Sequence, residues 1–386
     1  MTTCWDVIVV GAGAAGSAAA FHLARYGHRV LLLDQSPFPR AKACGGGMAA
    51  SVQRLFPFDL SPAVDAVIER VRFSWCLGDP VIAELPGDAP FWIVRRSVLD
   101  GFLAEQAVAA GVEFRPGWRV DSAQPLTPAA AGEPLWRLRA TASTGETAGL
   151  NCRALAVADG SESALAAQLG LGPAQPQFAS TVSVELEGAR LEPHTAWFEF
   201  GLVRHGFCWA FPRQGGASIG VGSFIGRQGV EAEAVLQQLL PALGCDPQAG
   251  ERRHSRLRIW SGHHPLHGPG VVAVGDAASL CDPFLAEGLR PALISGCEAA
   301  AGLDGWLRGD EAALAGYSAR MRARWGDSMA WGRRIAQVFY RVPKVGYQLG
   351  IKRPTAPQRI AQILSGEMGY GDIAQRVIRR LLFQRG

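Results

Sequence analysis

The run CWDVIVVGAGAAGSAAAFHLARYGHRVLLLD, residues 4–34, decides the fold class. Trp5 to Val10 is a short apolar run suited to a buried parallel strand. The glycines after it, Gly11, Gly13 and Gly16, permit a tight turn and the close approach of a pyrophosphate. A helix is expected from about Ala14 to Tyr26, because the stretch is alanine-rich, holds no proline and stops before Gly27. Its first residues, Ala14 and Ala15, join the glycines as candidate phosphate-binding positions at a helix N-terminus. His28 to Leu33 reads as the second strand, and Asp34 at its tip is placed to accept both ribose hydroxyls of an adenosine. Strand, turn, helix, strand and terminal acid in this order predict a Rossmann-like α/β unit.

The partner of this unit stands far downstream. Val271 to Val274 reads as another strand ending at Gly275-Asp276, and Ala277 to Gly296 as a loop running into a helix with Pro291 in its first turn, where proline is tolerated. A nucleotide fingerprint closed by a second Gly-Asp strand end is the layout of an FAD domain. Asp276 is then expected to bind the ribityl chain. The helix beginning near Gly288 is expected to aim its free N–H groups at the flavin edge that becomes negative on reduction. No second G-x-G-x-x-G exists, so a nicotinamide donor would bind without its own Rossmann unit.

Length and composition set limits. The 386 residues, 48% of them hydrophobic, suffice for two domains and a tail. No apolar run reaches the length of a membrane span, and the first strand starts at residue 5, so no signal segment and a cytoplasmic location are expected. The eight cysteines, at 4, 44, 76, 152, 208, 245, 281 and 297, show no C-x-x-C, so neither a metal site nor a disulfide framework is expected. The net charge of +4 hides an asymmetry: Gly316 to Gly386 holds 14 Lys/Arg against three Asp/Glu. Within this tail Ile335, Val338, Phe339 and Val342 form an i, i+3, i+4, i+7 apolar stripe near Arg333, Arg334 and Arg341, before Pro343 ends the helix. Two readings stay open: a surface helix resting on anionic lipid, giving peripheral membrane contact, or a helix packed on its own protein with a solvated basic face. No nucleic-acid module accompanies the basic residues, so nucleic acid is not an expected partner.

Short β-rich runs at Val71 to Leu77, Thr181 to Glu187, Ala196 to Phe200, Phe207 to Phe211 and Ala217 to Val221 alternate with Gly and Pro turns and predict an antiparallel sheet. Arg96 opens a helix to about Ala110, Ala154 to Ala158 is a strand ending in Asp159-Gly160, and the Pro/Ala-rich stretch 125–134 is a loop. The expected domains are a discontinuous FAD-binding domain (1–70, 96–172 and 266–302), an inserted antiparallel-sheet substrate domain (71–95 and 173–265) and a C-terminal helical region (303–386).

The order of the G-x-G-x-x-G turn, Arg96, Asp159-Gly160 and Gly275-Asp276 resembles the flavoprotein superfamily that includes para-hydroxybenzoate hydroxylase. Pro39-Arg-Ala-Lys-Ala-Cys44-Gly-Gly-Gly47 is similar to the Cys-Gly-Gly loop of the geranylgeranyl reductase family, and residues 204–222 resemble that family's prenyl-site signature P-x-x-Y-x-W-x-F-P-x(7)-G-x-G. Trp209, Phe211, Pro212, Gly220 and Gly222 match with the correct spacing. Arg204 stands at the signature's Pro, Phe207 at its Tyr, Ala167 where the superfamily carries Arg, and Ala286 at the first Gly of the common Gly-Glu-Gly. The tail, residues 363–372, also resembles the family's C-terminus.

The resemblance implies an FAD-dependent reductase that saturates carbon–carbon double bonds of a geranylgeranyl or polyprenyl group on a small molecule or lipid, with NADPH or reduced ferredoxin as electron donor. It implies cofactor-binding roles for Arg96 and Asp159, a position for Cys44 near the flavin, as proton donor or substrate gate, and apolar walls from Phe207, Trp209 and Phe211. Gly45, Gly46 and Gly47 are read as room for flavin or substrate to pass. Arg40 is a second candidate phosphate partner beside Arg96. Two other readings compete. One is a flavin-dependent monooxygenase or halogenase, against which stand only three lysines, Lys42, Lys344 and Lys352. The other is a non-redox prenyl-binding escort of the Rab GDP-dissociation-inhibitor type, against which stands the intact Gly275-Asp276.

Overall fold

The computed structural model describes residues 4–383 except 88–89, 128–131, 134 and 225–228. Strands Cys4–Val10, Val30–Asp34, Glu113–Pro116, Thr147–Val157 and Val271–Ala273 form a parallel sheet, with the first strand between Val30–Asp34 and Thr147–Val157. The strand order changes direction at Cys4–Val10, so the carboxyl ends of the central strands open a crevice there. The fingerprint helix, Ala14–Arg25, buries its alanines against the long helix Leu289–Leu307. The two come close because a Cβ on Gly296 would lie 2.3 Å from the Ala15 carbonyl oxygen. The N-terminal half of Thr147–Val157 leaves the parallel sheet to pair antiparallel with Trp136–Ala142, which pairs with Trp118–Pro125. Much of the expected loop 125–134 lies outside the described residues, and Pro125 itself ends a strand.

The second sheet has seven strands in the order Arg253–Ile259, Gln177–Glu187, Gly216–Ser223, Gly206–Arg213, Thr195–Phe200, Arg70–Trp75, Gly78–Glu84. Neighbours are antiparallel except Thr195–Phe200 and Arg70–Trp75, which run parallel. Period-two alternation gives this sheet two apolar faces. Cys208, Ala210, Ile219 and Val221 meet the helix Gly229–Ala242 on one side, while Phe207, Trp209 and Phe211 join the main core on the other. A small third sheet pairs Gly47–Ala49 and Val64–Ile68 with Phe91–Val94.

The C-terminal region adds helices Ala313–Met321, Asp327–Arg341, Pro343–Gly346, Ala356–Ser365 and Tyr370–Phe383. Four of the chain's five tyrosines lie here, fully buried. Tyr317 donates to the Ala273 carbonyl, Tyr340 to that of Phe284, Tyr347 to that of Asp79, and Tyr370 to Asp282 Oδ2, at 2.6–2.8 Å. Three of them therefore hold the backbone or a side chain around the Gly275-Asp276 loop. The expected apolar stripe on Asp327–Arg341 divides: Phe339 is buried and Ile335 half-buried, while Val338 and Val342 face solvent. The spacing spans one packing face, but Val342, at φ −132° and ψ 64°, has already left the helix, and the neighbouring rings Phe200 and Phe284 pack on the Phe339 side. Among the described residues no helix is long and apolar enough to cross a membrane.

Candidate active site

A single cleft of about 1150 Å³, its open mouth included, joins the distant parts of the sequence. At one end stand Gly13, Ala14, Ala15, Arg96, Ala158 and Gly160; in the middle Asp276, Ala286, Glu287 and Gly288; at the other Phe91, Phe198, Phe207, Trp209, Phe211 and Phe224. Cys44, Gly45, Gly46 and Gly47 line it as well. Gly11, Gly16, Asp34, Asp159, Pro212, Gly220, Gly222 and Gly275 stand behind the wall and act on it through the residues they hold.

At the dinucleotide end, backbone geometry demands glycine. A Cβ on Gly16 would lie 1.8 Å from the Gly11 carbonyl oxygen, so only a bare Cα lets the helix follow the turn so tightly. The helix starts at Gly13 with no side-chain cap and no acidic residue in its first turn, which leaves its first amides to an anion. Arg40 Nη2 lies 3.2 Å from where a Gly13 Cβ would be, and its buried Nε has no hydrogen-bond partner among the described residues. An uncapped helix end beside a guanidinium that is ion-paired to Asp34 and Asp100 but keeps one N–H without a hydrogen bond fits the diphosphate of FAD. Arg96 is committed elsewhere: its Nε and Nη2 grip Asp100 at 2.9 and 2.8 Å, and Arg40 Nη2 reaches the same carboxylate at 3.1 Å. Arg96 thus fixes the cleft floor, with its Nη2 3.8 Å from the Gly13 Cβ position. Asp34 Oδ2 accepts from the Ala12 amide and Oδ1 from the Ser36 amide, at 2.8 and 2.9 Å, which ties the second strand's tip to the turn.

In the middle of the cleft, Gly288 caps the helix Leu289–Leu307 without a side-chain hydrogen bond, and no acid stands in its first turn. Asp276 Oδ1 lies 3.6 Å from the Gly288 Cβ position, and Lys42 Nζ 3.8 Å from Asp276 Oδ2. Asp159 is half-buried outside the cleft; its Oδ1 has no partner among the described residues, and burial pushes its pKa up.

The aromatic wall explains the spacing of the sequence signature. Gly206–Arg213 and Gly216–Ser223 form a hairpin whose register pairs Phe207 with Gly222, Trp209 with Gly220 and Phe211 with Ser218. Each ring on one strand thus faces a residue with little or no side chain on the other. The indole of Trp209 lies across Gly220, where a Cβ would come within 2.2 Å of Cζ2. The spacing between Trp and the G-x-G pair is therefore a hairpin register, and the glycines serve the wall by leaving room for it.

The loop at Cys44 meets this wall. A Cβ on Gly45 would lie 3.1 Å from both Phe211 Cε2 and Trp209 Nε1, and one on Gly47 2.6 Å from Phe91 Cζ. Gly46 adopts φ +80° with its Cβ position 2.0 Å from the Val94 oxygen. On the side a Cβ would take, these glycines meet the protein's own rings and backbone, and they line the cleft. Cys44 is half-buried, and its Sγ accepts from the Gly46 amide at 3.3 Å. Behind it Arg213, paired with Glu185, reaches the Cys44 carbonyl at 3.4 Å; burial lowers its pKa to about 10.

Sequence reasoning passed over Glu287. It lines the cleft with 7% exposure, Arg290 Nη2 donates to its Oε2 at 2.6 Å, and Oε1 has no hydrogen-bond partner among the described residues. Burial raises its pKa to about 7 against the pull of Arg290. Asp282, also buried and raised by burial, holds the Phe284 and Leu285 amides and the Tyr370 hydroxyl. Two acids inside an apolar stretch directly after Gly275-Asp276 were the available signal.

The sequence profile of the family described as FAD dependent oxidoreductase matches residues 6–71. The chain is 31% identical to the menaquinone reductase of Mycolicibacterium smegmatis, covering 77% of this chain and 75% of that protein. It is 30% identical to digeranylgeranylglycerophospholipid reductase 1 of Methanopyrus kandleri, covering 76% and 78%. In fold it resembles the geranylgeranyl bacteriochlorophyll reductase-like protein of Thermoplasma acidophilum, with a TM-score of 0.78 at 21% identity over 96% of this chain and 94% of that one.

Proposed function

We propose that this chain, which belongs to the geranylgeranyl reductase family of FAD-dependent oxidoreductases, saturates carbon–carbon double bonds of a geranylgeranyl or polyprenyl group carried by a lipid or other small molecule. One observation carries the reading: a single cleft runs from the uncapped fingerprint helix, past Asp276 and Gly288, to a wall of five phenylalanines and Trp209. The relatives named as reductases of a digeranylgeranyl lipid and of menaquinone support a prenylated substrate.

Gly11, Gly13 and Gly16 with the amides at Ala14 and Ala15, and Arg40 beside them, would hold the diphosphate. Asp34 would hold the adenosine ribose and Asp276 the ribityl chain, and the amides beginning the helix after Gly288 would favour negative charge at the ring edge. Bound there, FAD reduced by NADPH or ferredoxin would supply hydride to the more substituted alkene carbon. The less substituted carbon takes a proton, which Cys44 Sγ delivers and regains from solvent. Phe207, Trp209 and Phe211 exclude water, align the alkene and present ring faces that tolerate positive charge developing on carbon.

The test is mass spectrometry of detergent-dispersed prenyl substrates after incubation with the holoprotein and reduced flavin. The expected product is heavier by the mass of H₂ per bond saturated. Unchanged mass for prenyl diphosphate, quinone, chlorophyll-precursor and glycerolipid substrates would end the reading. Cys44→Ala is expected to slow turnover while FAD content stays constant; unchanged turnover would remove Cys44 from the scheme.

A further inference from the structure

The apolar residues that the fold leaves uncovered are concentrated in one place. Of the large hydrophobic side chains exposed among the described residues, half fall within a dozen positions: Val338, Val342, Val345 and Leu349, between 49% and 67% exposed. Val338 lies on Asp327–Arg341, Val342 at the break before Pro343–Gly346, Val345 on that short helix and Leu349 on the helical turn Tyr347–Ile351. The inward side of the same segment is also apolar: Phe339, Tyr340, Tyr347 and Ile351 are buried. A helical segment with apolar residues both inside and outside has a second surface to satisfy.

Charge identifies that surface. From Ser328 to Gly366 there is no Asp or Glu, against seven Lys and Arg. Arg341 and Lys344, exposed between the apolar positions, enter no ion pair among the described residues. Apolar side chains framed by unneutralised cations match an interface of acyl chains beneath anionic headgroups. The inner face leads to the cleft. The Tyr340 ring stacks on Phe224 at 5.6 Å, Phe224 meets Phe207 at 5.2 Å, and both phenylalanines line the cleft.

We propose that the face formed by Val338, Val342, Val345 and Leu349 with Arg341 and Lys344 docks on an anionic membrane, bringing the aromatic end of the cleft against the bilayer that holds the prenyl chain. This rests on the reading of a prenyl-lipid substrate. Docking seats the three outward valines and Leu349 among acyl chains, and the cations pair with headgroup phosphates.

The experiment is co-sedimentation of the full-length holoprotein with vesicles of phosphatidylglycerol and phosphatidylcholine, and with phosphatidylcholine alone. Binding to the anionic vesicles, weakened by salt and about tenfold or more weaker in both Val338→Asp/Leu349→Asp and Arg341→Glu/Lys344→Glu, is the expected result. The charge-reversed pair keeps the apolar residues, so it decides the matter if the aspartate pair misfolds. No sedimentation with anionic vesicles, or equal sedimentation of wild type and charge-reversed variant, overturns the proposal. So does a dimer in analytical ultracentrifugation that Val338→Asp/Leu349→Asp dissociates without any vesicle binding, since a second copy would then cover the face. The detergent assay separates the two claims. Mass gain without vesicle binding removes docking alone, and vesicle binding without mass gain removes the reductase reading alone.

Discussion

Gly220→Ala adds one methyl group on the strand opposite Trp209. Its Cβ would stand 2.2, 2.5 and 2.7 Å from Cζ2, Cη2 and Cε2 of the indole, where ordinary contact begins at 3.4 Å. The ring must withdraw by about 1 Å, since a close-packed interior has no slack to absorb the overlap. Its retreat is toward the cleft, where the bare Gly45 already brings its Cβ position within 3.1 Å of Nε1. Overpacking of this size costs about 1–3 kcal/mol. Expressed in the complex with the prenyl chain, that is a loss of roughly 5- to 150-fold in kcat/KM. The fingerprint turn lies at the other end of the cleft, so FAD content should be unchanged. The assay is initial-rate mass spectrometry on a detergent-dispersed prenyl substrate, with the flavin-to-protein ratio read from absorption. Wild-type kcat/KM with full FAD and an unaltered Tm would refute both the wall and the register argument.

Gly16→Ala places a methyl 1.8 Å from the Gly11 oxygen and should part the turn from its helix, so the protein is expected to purify without flavin colour. A wild-type flavin-to-protein ratio would show that this turn does not hold the dinucleotide. The Glu287 carboxyl, raised by burial to about 7 from 4.5, binds its proton more tightly folded than unfolded. Its stabilising contribution is whole below about pH 4.5 and is lost as pH rises through about 7, by up to about 1 kcal/mol per pH unit. Urea titrations across that window should show a flatter profile for Glu287→Gln, and parallel profiles would sink the assignment.

The dinucleotide unit was legible because two of its glycines answer to backbone: Gly11 holds φ +102° with its Cβ position 2.3 Å from the Ala158 oxygen, and the Cβ position of Gly16 lies 1.8 Å from the Gly11 oxygen. The hairpin was legible as a spacing, but its meaning depends on which residues face each other across two strands, and that register is three-dimensional. Arg96 shows the limit differently. Asp100 stands at i+4 in plain view, yet that the two side chains pair, buried at the cleft floor, is visible only in the fold. The third sheet escaped because Gly47–Ala49 is too short to show alternation and its partners lie far away in sequence. Trp118–Pro125 escaped because it carries little apolar pattern, whereas Trp136–Ala142 shows the period-two alternation Trp136, Leu138, Ala140 and was simply passed over. In the tail, periodicity found the helix, and only the rings of neighbouring elements determine that Phe339 turns inward while Val338 does not.

The buried tyrosines of the C-terminal region tie the end of the chain to the flavin-side loop by hydroxyls that have no other recourse. Shortening the tail would leave the Phe284 and Ala273 carbonyls and the Asp282 carboxyl short of a donor inside an apolar core, each a penalty of about 1–3 kcal/mol. The last eighty residues are in this sense a latch, and a trimmed version designed for convenience would surrender the cofactor loop along with the tail. Grafts and fusions belong on the far edge of the molecule, away from that clasp.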